Sequence, residues 1–252
     1  MKFIGIIPAR YASTRFPGKP LAILAGKPMI QHVFERCSEI LDAVFVATDD
    51  QRIYDVVVGF GGKAIMTSVD HKSGTDRVYE AYTKLNDGAD VIINIQGDEP
   101  FIQNSQIESL KACFENKNVD IATLVKPYNS TSTYAELQDP NTPKVIRNAQ
   151  GNALYFSRSV IPYLRGEEPD MWSSKHTYYK HIGIYAYRNT ALKCITKMPM
   201  GQLEQVESLE QLRWLENGLT IATAVSHIET IGIDTPKDLE NAEEYIKSKY
   251  NK

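Results

Sequence analysis

Phe3-Ile4-Gly5-Ile6-Ile7-Pro8-Ala9-Arg10-Tyr11-Ala12-Ser13-Thr14-Arg15-Phe16-Pro17-Gly18-Lys19-Pro20-Leu21 decides how the rest of this chain is read. Its first five residues are an apolar run that reads as a buried strand. Pro8 has no N–H for a ladder and is expected to end that strand. The loop behind it carries three cations, Arg10, Arg15 and Lys19, with Ala12, Ser13 and Gly18 between them. At the carboxyl end of a strand in an α/β sheet, small residues let backbone N–H groups approach an anion. Two guanidinium forks and one ammonium then neutralise it. A triphosphate suits this set better than a neutral ligand, and Pro8, Pro17 and Pro20 stiffen a loop that solvation alone would leave free.

Beyond this loop the first half alternates strand and helix patterns, the mark of a parallel sheet with crossover helices. Apolar residues at helical period run from Met29 to Leu41 behind Pro28. Val44–Thr48 reads as a strand, 51–58 as a helix, Ala64–Met66 as a short strand and 75–85 as a helix. Val91–Ile95 reads as a central strand, followed by a helix near 104–114 and a strand near 121–125. From about 127 to 188 the rhythm changes. A polar connection gives way to a Tyr- and Phe-rich stretch that reads as antiparallel strands with an irregular loop near 166–174. In a single domain spanning 1–252, this segment is expected to be an insertion that closes over the sheet and offers a subunit contact. A helix near 204–216, a strand near 220–225 and a helix after Pro236 restore the α/β pattern.

The 252 residues, 42% hydrophobic and 23% charged, are ordinary for a soluble globular protein. A formal net charge of −3 argues against a nucleic-acid binder working through a broad basic surface. No run approaches the roughly 18–20 apolar residues that cross a bilayer, so no membrane partner is expected. The N-terminus enters a strand without a secretory leader. Cys37, Cys113 and Cys194 are odd in number and lack metal-ligand spacing. They read as reduced thiols in a cytoplasmic protein.

Six further blocks stand in order along the chain: His71-Lys72-Ser73-Gly74-Thr75-Asp76-Arg77, Gln96-Gly97-Asp98-Glu99-Pro100, Tyr155-Phe156-Ser157-Arg158, His181-Ile182-Gly183-Ile184-Tyr185, Glu210-Gln211-Leu212-Arg213 and Gly232-Ile233-Asp234-Thr235-Pro236. With the first loop, they resemble the sugar nucleotidyltransferases, in the version found in cytidylyltransferases that activate acidic sugars. The resemblance covers nearly the whole chain. It implies a Rossmann-like nucleotidyltransferase fold, a mostly parallel central sheet with an inserted antiparallel sugar-binding and dimerisation segment, and a homodimer. It further implies CTP and an eight-carbon acidic sugar as substrates, and a place in lipopolysaccharide biosynthesis. Phe16 stands where Leu is common and Asp76 where Glu is common, without moving the charge. Nothing carries over to the variable loop 166–177.

Asp98 follows an apolar strand at the ligand-facing edge, where a carboxylate beside a triphosphate suits Mg²⁺. Asp234 follows Ile231 and Ile233 and precedes Thr235-Pro236, a common helix start with Thr235 as N-cap. The resemblance makes Asp234 the second metal ligand. It makes Arg10, Arg15, Lys19, Asp98 and Asp234 the catalytic set, and implies CTP contacts at Pro8, Ala9, Arg10, Ser13, Lys19, Gly74, Thr75, Arg77 and Asp98. Thr75 and Arg77 serve either the base and ribose edge or, for Arg77, a phosphate. Arg158 offers a fork for a carboxylate. His181 and Tyr185, four apart in a strand, share a face. Glu210 and Gln211 flank an apolar helix face and suit sugar hydroxyls, and Gln96 joins this group by resemblance. The rival readings are a sialic-acid-type cytidylyltransferase, a glycosyltransferase using a nucleotide-sugar donor and a non-catalytic sugar-nucleotide sensor. Gly97-Asp98-Glu99-Pro100 lacks the Asp-x-Asp motif of the glycosyltransferases.

Overall fold

The computed structural model describes residues 1–228 and 232–250; Ile231, used above beside Ile233, lies outside them. The chain divides into two compact units, Met1–Glu108 with Thr230–Lys252, and Ser109–Glu229. In the first unit, β1 (Phe3–Ala9) is followed by a small hairpin, β2 (Ile23–Leu24) and β3 (Lys27–Pro28), and by α1 (Met29–Ser38). Next come β4 (Ala43–Thr48), α2 (Gln51–Gly59), β5 (Ala64–Met66), α3 (Gly74–Leu85) and β6 (Val91–Asn94). Then α4 (Asn104–Cys113) crosses the unit boundary. The strands stand in the order β6-β1-β4-β5, all parallel. Ile4, Ile6 and Ile7 of β1 are fully buried. Gly5 is required there, because a Cβ would lie 2.7 Å from side-chain carbons of both Ile95 and Leu41.

Pro8 does not end β1. The strand runs on to Ala9, with Pro8 opposite Ala47. The carbonyl of Ile6 accepts from Ile95 N, so residues 4, 6 and 8 turn their polar groups toward β6. Pairing with β6 stops at Ile6, opposite Asn94, and the N–H that Pro8 lacks has no ladder partner to lose.

The second unit contains β7 (Ile121–Pro127), α5 (Tyr134–Leu137), β8 (Lys144–Arg147), β9 (Ala153–Ser157) and α6 (Trp172–Lys175). It continues with β10 (Tyr179–Arg188), α7 (Asn189–Ile195), α8 (Gln202–Glu207), α9 (Glu210–Glu216) and β11 (Ile221–Val225). β7 pairs parallel with β11 and antiparallel with β10, which pairs antiparallel with β8, as β8 does with β9. The aromatic stretch builds its own core, with Trp172 and Tyr178 packed on Leu137. The expected helix 204–216 is two helices, broken where Ser208 takes φ 51°. Arg158 explains the break. Its guanidinium donates to the carbonyls of Glu207 (2.6 Å) and Ser208 (3.2 Å), satisfying groups that another helical turn would have used. The last helix, α10 (Pro236–Tyr250), returns to the first unit. The α/β architecture, largely parallel with an antiparallel segment, is the one the sequence implied.

Candidate active site

In the first unit the loop after β1, the turn before α3, the segment after β6 and the entry to α10 line one cleft of about 310 Å³. Pro8, Ala9, Arg10, Ser13, Arg15, Lys19, Gly74, Arg77, Gln96, Asp98 and Asp234 all border it. Thr75 is buried and does not line the cleft. The cation loop is preformed. Gly18 adopts φ 71°, a conformation that costs glycine little, and its N–H donates to Tyr11 O at 2.9 Å. The Tyr11 ring packs against Gly18, at 3.1 Å from where a Cβ would stand. Arg52 lies over that ring at 3.3 Å from its centroid.

Lys19 sits between the two carboxylates. Its Nζ is 2.5 Å from Asp98 Oδ2 and 3.0 Å from Asp234 Oδ1, and Arg15 reaches Asp234 at 3.2 Å. Burial disfavours the Lys19 ammonium. The charge and hydrogen bond of Asp98, with those of Asp234, outweigh burial and raise its pKa above the ordinary value. The carboxylates meet because Ile233 N donates to Asp98 O at 2.9 Å, stitching the entry to α10 onto the segment after β6. Thr235 caps α10 through Asp238 N, and Asp238 bonds back to the Thr235 N–H. Asp234 is thereby left facing the cleft.

This donor set fits a hard divalent cation. Mg²⁺ takes one or two carboxylates and completes its shell with phosphate oxygens and water. Asp98 and Asp234 already converge on one positive group. Among the described residues no cluster of three or more acids, histidines or cysteines supplies a closed protein cage.

Arg77 borders the cleft with its guanidinium engaged. It donates to Thr67 Oγ1 and pairs with Asp49, each at 2.6 Å, and so ties α3 to the ends of β4 and β5. Gly74, at the first turn of α3, faces the cleft, and Ser73 caps that helix through Asp76 N. Helix N-termini favour anions. Lys72, exposed on the cleft wall, is a fourth cation that the sequence reading passed over. Its signal was a lysine two residues before a helix start. His71 is held by Glu80. Burial raises the Glu80 pKa, but Lys84, the Ser68 amide and His71 more than offset it, bringing the carboxyl down to about 2.

The second unit gathers the other candidates. Arg158 spreads its guanidinium over the carbonyls of Glu207, Ser208 and Pro140, while Glu207 receives Ser157 Oγ at 2.6 Å and Arg158 N at 2.9 Å. Arg158 therefore holds the end of β9 to the end of α8, and this work takes up most of its fork. His181 lies against Phe156 and Tyr185, with ring centroids 5.2 and 5.3 Å away. Tyr185 meets Trp214 of α9 edge-on at 5.0 Å, on the helix that carries Glu210 and Gln211. Tyr185 OH and Gln211 Nε2 are buried without a hydrogen-bond partner among the described residues. Burial pushes the Tyr185 phenol well above its ordinary pKa, which keeps it a donor. Glu210 lies 3.4 Å from Arg213.

The profile of the cytidylyltransferase family matches residues 4–221. A 3-deoxy-manno-octulosonate cytidylyltransferase of Phocaeicola vulgatus is 62% identical over 249 residues, 99% of each chain. One of the same description from Bacteroides thetaiotaomicron is 60% identical over 99% of this chain and 100% of its own. The solved structure of a CMP:2-keto-3-deoxy-manno-octonic acid synthetase complexed with CTP superposes with a TM-score of 0.90 at 44% identity, covering 99% of this chain and 100% of the other.

Proposed function

We infer the reaction from one premise: the chain belongs to the cytidylyltransferase family. The reaction is the activation of 3-deoxy-manno-octulosonate by CTP, giving the CMP-sugar and pyrophosphate. The observation that carries this reading is the cleft in which Lys19 meets Asp98 and Asp234 beside the cationic loop, in a chain 62% identical to a relative of that description.

The anomeric hydroxyl of the sugar attacks the α-phosphorus of CTP, a new P–O bond forms, and pyrophosphate leaves. No covalent enzyme intermediate is needed, because positioning and charge neutralisation supply most of the catalysis in such transfers. Arg10, Arg15, Lys19 and Lys72 neutralise the triphosphate and the departing pyrophosphate, with the α3 N-terminus adding its dipole. Asp98 and Asp234 would hold Mg²⁺, which would supply Lewis acidity for the transfer. In the second unit His181, Tyr185, Glu210 and Gln211 take the sugar and Arg158 shapes that half-site; Gln96, on the cleft of the first unit, is assigned to the sugar by family resemblance. The proposal includes a cytoplasmic homodimer. Its support is three free cysteines and exposed apolar side chains, among them Leu154, Tyr163 and Val206.

The test is pyrophosphate release with CTP, Mg²⁺ and a panel of acidic sugars. Preferred turnover of 3-deoxy-manno-octulosonate is the expected result. Preference for a sialic acid would reassign the substrate, and no release with any sugar would overturn the reading.

A further inference from the structure

Thr123, fully buried in the middle of β7, has three polar neighbours around one hydroxyl. Ile184 O lies at 2.8 Å, Ile182 O at 3.2 Å and His181 Nε2 at 3.0 Å. A hydroxyl has one proton, and carbonyl oxygens only accept. Were that proton aimed at the imidazole, the Thr123 oxygen would face two carbonyl oxygens at contact distance with no hydrogen between them. The proton therefore goes to the carbonyls. His181 must donate through Nε2–H, and its lone pair stands on Nδ1. Nothing among the described residues bonds Nδ1.

A break in strand register makes this possible. β10 pairs His181 with Val125 and Ile182 with Leu124, then resumes with Tyr185 opposite Thr123. Gly183 and Ile184 are extra residues on β10, so the carbonyls of Ile182 and Ile184, on either side of Gly183, converge on one threonine. Four residues of regular strand would span about 13 Å, yet the rings of His181 and Tyr185 are 5.3 Å apart.

We propose that Thr123 is a positioning residue that locks His181 as the Nε2–H tautomer, so that Nδ1 presents a hydrogen-bond acceptor selecting a hydroxyl of the sugar and repelling its carboxylate. This rests on the acceptor half-site described under the proposed function. The Tyr185 ring lies 5.3 Å from that of His181 and its OH is buried without a partner among the described residues, a donor beside which His181 is the complementary acceptor. Burial lowers the His181 pKa to about 3. So weak a base reads a hydroxyl without removing its proton.

The test uses the full chain with ¹⁵N-labelled imidazoles and long-range ¹H–¹⁵N correlation at neutral pH without substrate. The His181 signals are identified by their loss in His181→Gln. The expected spectrum shows Nε2 protonated and Nδ1 pyridine-like, in wild type and in Thr123→Ser. Thr123→Val should lose the tautomer preference and raise the KM for the sugar roughly five-fold, the worth of one neutral hydrogen bond. The KM for CTP should be unchanged, and Thr123→Ser should restore the wild-type value. An Nδ1–H tautomer in wild type overturns the proposal whether or not the valine variant folds. So does a folded Thr123→Val with unaltered spectrum and KM. A correct tautomer in a protein that activates no acidic sugar refutes the functional reading and with it the choice of ligand, while showing the lock itself intact.

Discussion

Lowering the pH from about 8 to about 5 should destabilise this protein partly through His181, and replacing that residue with glutamine should remove that part. The ordinary imidazole value of 6.5 falls to about 3 in the folded protein because burial disfavours the imidazolium. Between those values the unfolded chain binds a proton that the folded chain refuses. The contribution is thus fully present above 6.5 and declines as the pH falls toward 3. At about pH 5 the unfolded state gains roughly 2 kcal/mol, a figure set by the unfolded pKa alone once the folded value lies well below 5. His181→Gln keeps an N–H for Thr123 and removes the titration. Urea unfolding of both proteins at the two pH values gives the difference directly, since every other titrating group is shared. Wild type should lose about 2 kcal/mol more than the variant. Equal losses would mean that the folded imidazole takes up its proton freely, and the account of a neutral, half-buried His181 would be wrong.

Asp98→Asn and Asp234→Asn should each nearly abolish turnover, and the double variant should lose little more than the worse single one, because both act at one cation centre; costs that simply multiply would separate the two carboxylates. Lys19→Ala should lower turnover with CTP by about two to three orders of magnitude, and Mg²⁺ should bind the nucleotide-free variant more tightly than wild type by calorimetry, since the competing ammonium is gone. Gly18→Ala should cost about 1–2 kcal/mol of stability from the positive φ alone, read as a fall in Tm, with weaker CTP binding as Tyr11 is pushed aside.

Much of this was legible in the sequence because the relevant signals are local. The strand-loop at 3–21, the cap at Thr235 and the helix beginning near Thr75 are written within a few residues of where they act. What escaped depends on distant partners. Pro8 stays in its strand because β6 ends early on that side, which no local rule reports. Arg77 looked available to a phosphate because Asp49 lies 28 residues away in the chain. Arg158 looked like a free fork because its three carbonyl partners lie 18 to 50 residues off. His181 and Tyr185 were placed on one face from alternation alone, whereas their close approach needs the bulge at Gly183-Ile184. Lys19 reads in the sequence only as a loop cation, yet its side chain keeps only 16% of its exposure between two acids that come from elsewhere in the chain.

The stitch between Ile233 and Asp98 also bears on synthesis at the ribosome. Lys19 and Asp98 are 79 residues apart, but Lys19 and Asp234 are 215 apart. A nascent chain can therefore fold its cationic loop and β6 long before the second carboxylate has been translated. Until then Lys19 has one acid partner instead of two, and the cleft lacks a wall. Forming so distant a contact is slow, so competence for catalysis waits until Asp234 has been made and has reached Lys19. A transcript cut short between Asp98 and Asp234 would yield a polypeptide that carries the cationic loop but cannot complete the carboxylate pair.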